Sequence, residues 1–336
     1  METDSAIMSD NKTDKINIEL EKRLGSKYLR NRLNVEKWHT VFKCLLAKVF
    51  YQEDMDPKYI FLKLLLILSG SYDRMKSNTL KYETVHKTVS FNNLPEKFNG
   101  FKILHISDIH VEGIPDKGES IAKIISSLDY DLCLITGDYR FLSFGEYLPT
   151  IEKLKTITGS IKCKYGIVGI LGNHDSINMV PELESIGVRM LINESHRLVR
   201  DSDIIWIAGV DNPSFHTCAS ITRTLKRIPG EDFTILLAHS PSLLREAMRR
   251  NVDYYLCGHT HGGQLCLPGG TPLITKAECE RRYSIGAWNY KGMKGYTSRG
   301  TGTSGLPIRL YCPPEIIIHT LTKGGEDNAL DTNSIK

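Results

Sequence analysis

No two cysteines in this 336-residue chain are spaced as CxxC. The eight present, Cys44, Cys133, Cys163, Cys218, Cys257, Cys266, Cys279 and Cys312, are scattered, which argues against a structural zinc knuckle. Cys133 and Cys257 lie in apolar, strand-like runs and read as buried hydrophobes, so a reducing, cytoplasmic compartment is expected. A redox role for Cys257 and Cys266 is a minor alternative. Also missing is an apolar run long enough to cross a bilayer. The most apolar stretch, 59–68, is well short of the ~20 residues a span needs, and Lys63 interrupts it. The first residues, METDSAIMSDNKTDK, are polar and carry no secretory signature. Strong charge of one sign is lacking too. The formal charge is only +4, and no basic stretch interleaved with aromatics points to nucleic acid. Neither internal repeats nor low-complexity segments occur. What remains, 41% hydrophobic and 24% charged, is an ordinary globular chain with enough length for a large core.

The chain is expected to divide into four parts. Residues 1–14 and 324–336 read as disordered ends, 15–81 as a helical extension, and 82–323 as a catalytic domain. In the extension, Trp38, Val41, Phe42, Leu45, Leu46, Val49 and Phe50 recur at helical spacing, and Lys37, Lys43 and Lys48 avoid that stripe. A second helix is predicted over 59–68, ending at Ser69-Gly70. These helices either pack on the catalytic domain or lie as a basic amphipathic anchor on the inner face of an anionic membrane. From Tyr82 onward, strand and helix patterns alternate. Strands are predicted over 101–106, 132–135, 166–171, 204–208, 234–238, 254–257 and 315–321, and helices over 120–128, 181–186 and 242–250. This is α/β, with a sheet-rich half after Gly262.

Five short segments carry the chemistry: Asp108-Ile109-His110, Gly137-Asp138, Gly172-Asn173-His174-Asp175, His239 and Gly258-His259-Thr260-His261. Each follows a predicted strand. Loops at the carboxyl ends of strands converge on one crevice, so five separated segments can meet at one point. Asp108 and His110 can chelate one ion from a single loop, and His259 and His261 repeat that spacing. The glycines before Asp138, Asn173 and His259 permit tight turns and close backbone approach. Oxygen and nitrogen donors in this mixture suit two divalent transition ions, manganese first, with iron or zinc as alternatives. Two ions ~3.5–4 Å apart are a device for cleaving phosphate esters.

The ordered set DxH, GD, GNHD, H and GHxH resembles the signature of the calcineurin-like metallophosphoesterase superfamily. The surroundings, 93–100, His259-Thr260-His261-Gly262-Gly263-Gln264, Ser298-Arg299-Gly300-Thr301-Gly302, Leu306-Pro307-Ile308-Arg309 and Cys312-Pro313-Pro314-Glu315, are similar to its YkuE/YaeI-like phosphodiesterase branch. The likeness covers roughly 82–323. It implies two packed mixed β-sheets flanked by helices, a four-layer α/β/β/α sandwich. It further implies that Asp108, His110 and His261 hold one metal, that Asn173, His239 and His259 hold the other, and that Asp138 bridges both. A hydroxide shared by the metals would attack phosphorus in line. His174 would protonate the leaving oxygen, and Asp175 would orient it.

Arg299, in a glycine-rich loop, either clamps a substrate phosphate by bidentate bonds or fixes that loop, and Arg140 is a second candidate for the crevice. Asp211-Asn212-Pro213 reads as a plain turn rather than a ligand loop. His39, His86, His105, His196, His216 and His319 read as structural. The leading expectation is a phosphohydrolase of phosphodiester or pyrophosphate bonds. The branch resemblance implies a phosphate-ester small molecule or a lipid-linked, cell-envelope substrate, because UDP-diacylglucosamine hydrolases occur among similar proteins. A nuclease or nucleotide phosphodiesterase ranks second. A catalytically silent scaffold would have lost a ligand or His174, and all are present. Oligomeric state is left open.

Overall fold

The computed structural model describes residues 16–50, 57–213, 216, 218–273 and 278–324, the side chains at 39–50 and 57–58 excepted. The ends expected to be disordered lie outside this set, Gly324 apart, as do the side chains of the stripe from Val41 to Phe50.

Twelve strands form two six-stranded mixed sheets. The first has β1 (Glu83–Phe91) beside β12 (Glu315–Lys323), then β2 (Phe101–Ile106), β3 (Leu132–Ile135), β4 (Ile167–Gly169) and β5 (Val188–Met190). Only the β12–β2 pair is antiparallel. The second sheet runs β10 (Gly286–Tyr290), β11 (Met293–Thr297), β9 (Tyr254–Cys257), β8 (Thr234–Leu237), β7 (Asp203–Gly209) and β6 (Glu194–Arg200). Its outer pairs are antiparallel and its inner ones parallel.

Strands buried on both faces read as continuous apolar runs, as in Leu132–Ile135 and Tyr254–Cys257. Alternation still sorts their side chains. Ile103, Leu132, Leu134 and Ile317 meet Ile207, Ile235, Leu237 and Leu256 between the sheets. Leu104, Cys133 and Ile135 point the other way, toward α5 (Glu119–Ser126), α6 (Leu148–Ser160) and α7 (Val180–Ser185). The second sheet is covered outside by α8 (Ile221–Leu225) and α9 (Leu244–Arg249) around Ala208, Leu236 and Tyr255. The result is the four-layer metallophosphoesterase sandwich that the sequence implies.

The strand predicted over 166–171 stops at Gly169, because the chain turns there into the crevice. Helix α6 was not foreseen. Its sequence LPTIEKLKTITGS mixes β-branched residues and a glycine into a helical stripe, which blurs the period.

At the N-terminus, helical residues 16–24 (α1) and α2 (Ser26–Phe50) bury Ile16, Leu20, Leu24 and Leu29 in the core beside the first sheet. Arg32 is fully buried and pairs with the equally buried Asp211 at 2.9 Å, where Tyr28 also donates to that carboxylate. The turn at Asp211 is therefore the seat of α2. In helices α3 (Pro57–Leu68) and α4 (Tyr72–Ser77), Tyr59, Leu62, Leu66 and Met75 pack on Leu306 and Ile308 in a separate cluster.

Candidate active site

All five motif segments leave carboxyl ends of strands. Asp108 and His110 follow β2, Asp138 follows β3, the Asn173 turn follows β4, His239 follows β8, and His259 and His261 follow β9. The two sheets present these ends at one edge of the sandwich.

The loops are drawn tight against each other. Asp108 and His110 (φ 50° and 43°), Asp138 (56°), and His259 and His261 (72° and 51°) all adopt left-handed backbone. Such conformations are uncommon for non-glycine residues and cluster where a site dictates geometry. A Cβ at Gly172 would lie 2.1 Å from the Asp138 carboxylate, and one at Gly258 2.2 Å from that of Asp108. Only glycine lets these loops come so close.

Two donor clusters result. In the first, His110 Nε2 lies 3.2 Å from His261 Nε2, and His261 Nε2 lies 3.5 Å from Asp108 Oδ1. In the second, Asn173 Oδ1 lies 2.9 Å from His239 Nε2 and 2.8 Å from His259 Nδ1, and these two nitrogens are 3.3 Å apart. Asp138 Oδ2 stands between them, 3.5 Å from His110 Nε2 and 3.3 Å from His239 Nε2.

The donor set fits metal ions. Adjacent ligands on an ion with bonds of ~2.1 Å sit about 3 Å apart, which is the spacing found. The ring protons are also placed for it. His110 Nδ1 donates to the Arg140 carbonyl at 2.7 Å, and His239 Nδ1 donates to that of Thr136 at 2.8 Å. In the neutral rings, each Nε2 then aims a lone pair into its cluster, the outer-shell arrangement typical of metal-binding histidines. Asp108 is steadied by Ser107 Oγ at 2.6 Å and by the His259 backbone N–H.

The buried charges of the site act strongly on one another. Burial raises Asp108. Burial also opposes ionisation of Asp138, but His239 and His174 outweigh it and hold this carboxylate well below its ordinary range. His239 is pushed up to about 10, because Asp138 and Asp108 overcome its desolvation. His261 falls well below the usual imidazole value through burial and the neighbouring His110.

His174 is half-buried at the cavity wall, and its ring stands edge-on to His110 with centroids 4.8 Å apart. The expected orienting role of Asp175 needs correction. Its carboxylate accepts the backbone N–H groups of Asp138, Tyr139, Arg140 and Gly172, so both oxygens are spent on the loops. The His174 ring is held by the Phe141 carbonyl, which accepts from Nδ1 at 2.6 Å. Four N–H donors are a strong anchor for a buried carboxylate. Burial and the nearby Asp138 still lift Asp175 to about 6.

The fork of Arg299 is committed to carboxylates on two strands. Arg299 Nε donates to Glu315 at 2.7 Å and Nη2 to Glu83 at 2.8 Å, which ties its loop to β12 and β1. Arg140 Nη2 donates to the carbonyls of Phe144 and Gly145. Buried Arg309 serves the loop more directly, donating to the carbonyls of Arg299, Gly300, Gly302 and Cys312. A lone arginine inside the apolar run Leu306-Pro307-Ile308-Arg309-Leu310 was the readable signal, because such a charge demands partners. Two further contributors had no local signal. Glu36 of α2 accepts from Ser176 Oγ and the Ile177 N–H, just after the His174 turn. Tyr59 and Leu62 of α3, with Leu265, Leu273, Leu306 and Ile308, wall a cavity of about 350 Å³ whose floor holds Asp138, Asn173, His174, His259 and His261.

Residues 101–263 match the calcineurin-like phosphoesterase family. The chain is 29% identical over 270 residues to an uncharacterized metallophosphoesterase of Aquifex aeolicus, covering 77% of this chain and 98% of that one. It is 29% identical to the uncharacterized metallophosphoesterase YkuE of Bacillus subtilis (71% and 85% covered) and 28% identical to phosphodiesterase YaeI of Escherichia coli (64% and 80% covered). Residues 101–263 thus carry the signature of the calcineurin-like phosphoesterase family, and the two-sheet fold is the one that family implies. The chain is a phosphoesterase, a hydrolase, and the residues for divalent metal are in place.

Proposed function

We propose that the protein is a binuclear metal-dependent phosphohydrolase that cleaves a phosphodiester or pyrophosphate bond in a substrate with an apolar, lipid-like portion. The observation that carries the reading is the pair of donor clusters joined at Asp138. Asp108, His110 and His261 would hold one ion, and Asn173, His239 and His259 the other. When bound, the ions supply an activated water for in-line attack and positive charge for the phosphoryl oxygens. Manganese heads the list, with iron and zinc suited to the same donors.

The chain's own residues do the rest. His174 Nδ1 is committed to the Phe141 carbonyl, so Nε2 is the atom that passes a proton to the leaving oxygen. Asp175 keeps the Asp138 and Gly172 loops in register. The apolar wall of Tyr59, Leu62, Leu306 and Ile308 excludes water and favours a hydrocarbon group on the ester. Phosphodiesterase activity named for YaeI supports the same bond class.

The test strips metal from the protein, reloads it with manganese, iron or zinc, and follows metal content together with hydrolysis of bis(p-nitrophenyl) phosphate. The expected result is activity that rises to a plateau at two ions per chain. A plateau at one ion would overturn the binuclear reading, and inactivity with every metal would overturn the catalytic one.

A further inference from the structure

Helix α3 is apolar on both faces, but among the described residues only one face has a partner. Tyr59, Leu62 and Leu66 pack on Leu306, Ile308, Leu265 and Leu310. On the other side Phe61, Leu64, Leu65 and Leu68 are 64%, 54%, 47% and 83% exposed. Their spacing, i, i+3, i+4 and i+7, is a continuous helical stripe. Ile67 widens it at 50% exposure. Scattered exposed leucines need no explanation, but a contiguous apolar stripe marks an interaction surface.

Position and charge identify what covers it. The inner face of the same helix forms the wall of the catalytic cavity, and Leu273, also exposed, stands among the cavity-lining residues. The stripe is therefore carried by the helix that walls the cavity, on its opposite face. Residues 57–81 contain Lys58, Lys63, Arg74, Lys76 and Lys81 against one acid, Asp73. Their net charge is +4. An exposed apolar stripe within a net-basic segment is the chemistry of a helix lying in an anionic bilayer surface. At twelve residues, about 18 Å, α3 is too short to cross the ~30 Å hydrocarbon core. Among the described residues, no helix is long and apolar enough to cross a membrane.

We propose that α3 docks the protein on anionic membrane surfaces, with the stripe of Phe61, Leu64, Leu65 and Leu68 in the headgroup–acyl boundary. The wall of the catalytic cavity then lies at the bilayer. A lipid ester can slide between Tyr59, Leu62 and Leu273 and bring its phosphate to the donor clusters without its acyl chain entering water. This last step rests on the phosphohydrolase reading, whereas the docking does not.

The experiment uses the full metal-loaded chain and the variant Phe61→Asp/Leu65→Asp/Leu68→Asp, whose changes are all at exposed positions outside the cavity. Flotation is measured with vesicles of phosphatidylcholine alone and of phosphatidylcholine mixed with phosphatidylglycerol. Bis(p-nitrophenyl) phosphate hydrolysis serves as a soluble control. The wild type should float with the anionic vesicles and weakly with neutral ones. The variant should lose binding by about tenfold or more, with its soluble rate unchanged. No flotation by the wild type, or equal flotation by both proteins, overturns the proposal. A wild-type dimer in light scattering that the variant abolishes, with no vesicle binding, would assign the stripe to a second copy and also overturn it. Vesicle binding without diester hydrolysis supports docking and overturns the catalytic reading instead.

Discussion

Helices α2 and α3 both belong to the helical extension read from the sequence, and both reach the catalytic crevice, yet they are held in opposite ways. Helix α2 is seated by charge. Arg32 pairs with Asp211 and Glu36, its Nη2 reaches the Asp175 carbonyl, and Glu36 holds the turn after His174. Helix α3 packs its inner face through Tyr59, Leu62 and Leu66 on an apolar cluster and, among the described residues, leaves the outer face exposed. A helical stripe says that a face is apolar; it does not say whether protein or lipid covers it. The difference predicts a division of labour, in which α2 governs stability and the His174 turn while α3 governs substrate access.

The motif loops set the upper bound for that contrast. Asp138→Ala should abolish both activity and metal retention, because it removes the ligand common to both clusters; metal analysis and steady-state rates check this together. Next comes His174→Ala, which should keep both metals while lowering turnover by about 10²–10⁴ on substrates with poor leaving groups. Retained turnover on such a substrate would remove His174 from the proton-transfer role.

Arg32→Ala tests α2. It strands a buried carboxylate at Asp211 and should cost about 3–5 kcal/mol in urea unfolding. A loss below ~1 kcal/mol would erase the proposed distinction between the two helices. Metal affinity should depend on pH in a defined direction. His239 holds its proton up to about 10 in the metal-free protein, and an ion must displace it. Affinity should therefore rise with pH across the neutral range, by about tenfold per unit for each proton released, as competition against a coloured chelator would read. The smallest effect belongs to α3. Leu62→Ala should raise KM several-fold for an ester with a long alkyl chain and leave bis(p-nitrophenyl) phosphate untouched. An equal change on both substrates would show that α3 acts through the metal site after all.

Much of the site was legible before any coordinates. Asp108, His110, Asp138, Asn173, His239, His259 and His261 stood after apolar runs, and those runs became β2, β3, β4, β8 and β9. What could not be read were relations between distant segments. That Asp175 anchors loops while Phe141 holds the His174 ring depends on which backbone groups face each other across the crevice. The contrast between Arg299 and Arg309 has the same origin. One fork is occupied by Glu83 and Glu315, which arrive on separate strands, and the other meets carbonyls only after its loop has folded back.

By itself, the sequence determined the reaction class, because ligand chemistry and strand-end placement are local properties that short motifs encode. It also settled the α/β architecture through its alternating apolar periods. Tertiary structure alone decided that α2 is pinned to the His174 turn by a buried ion pair. It alone turned one face of α3 into a cavity wall and, among the described residues, left the other exposed. Partners separated by well over a hundred residues make those choices, and no local pattern names the surface a side chain will meet.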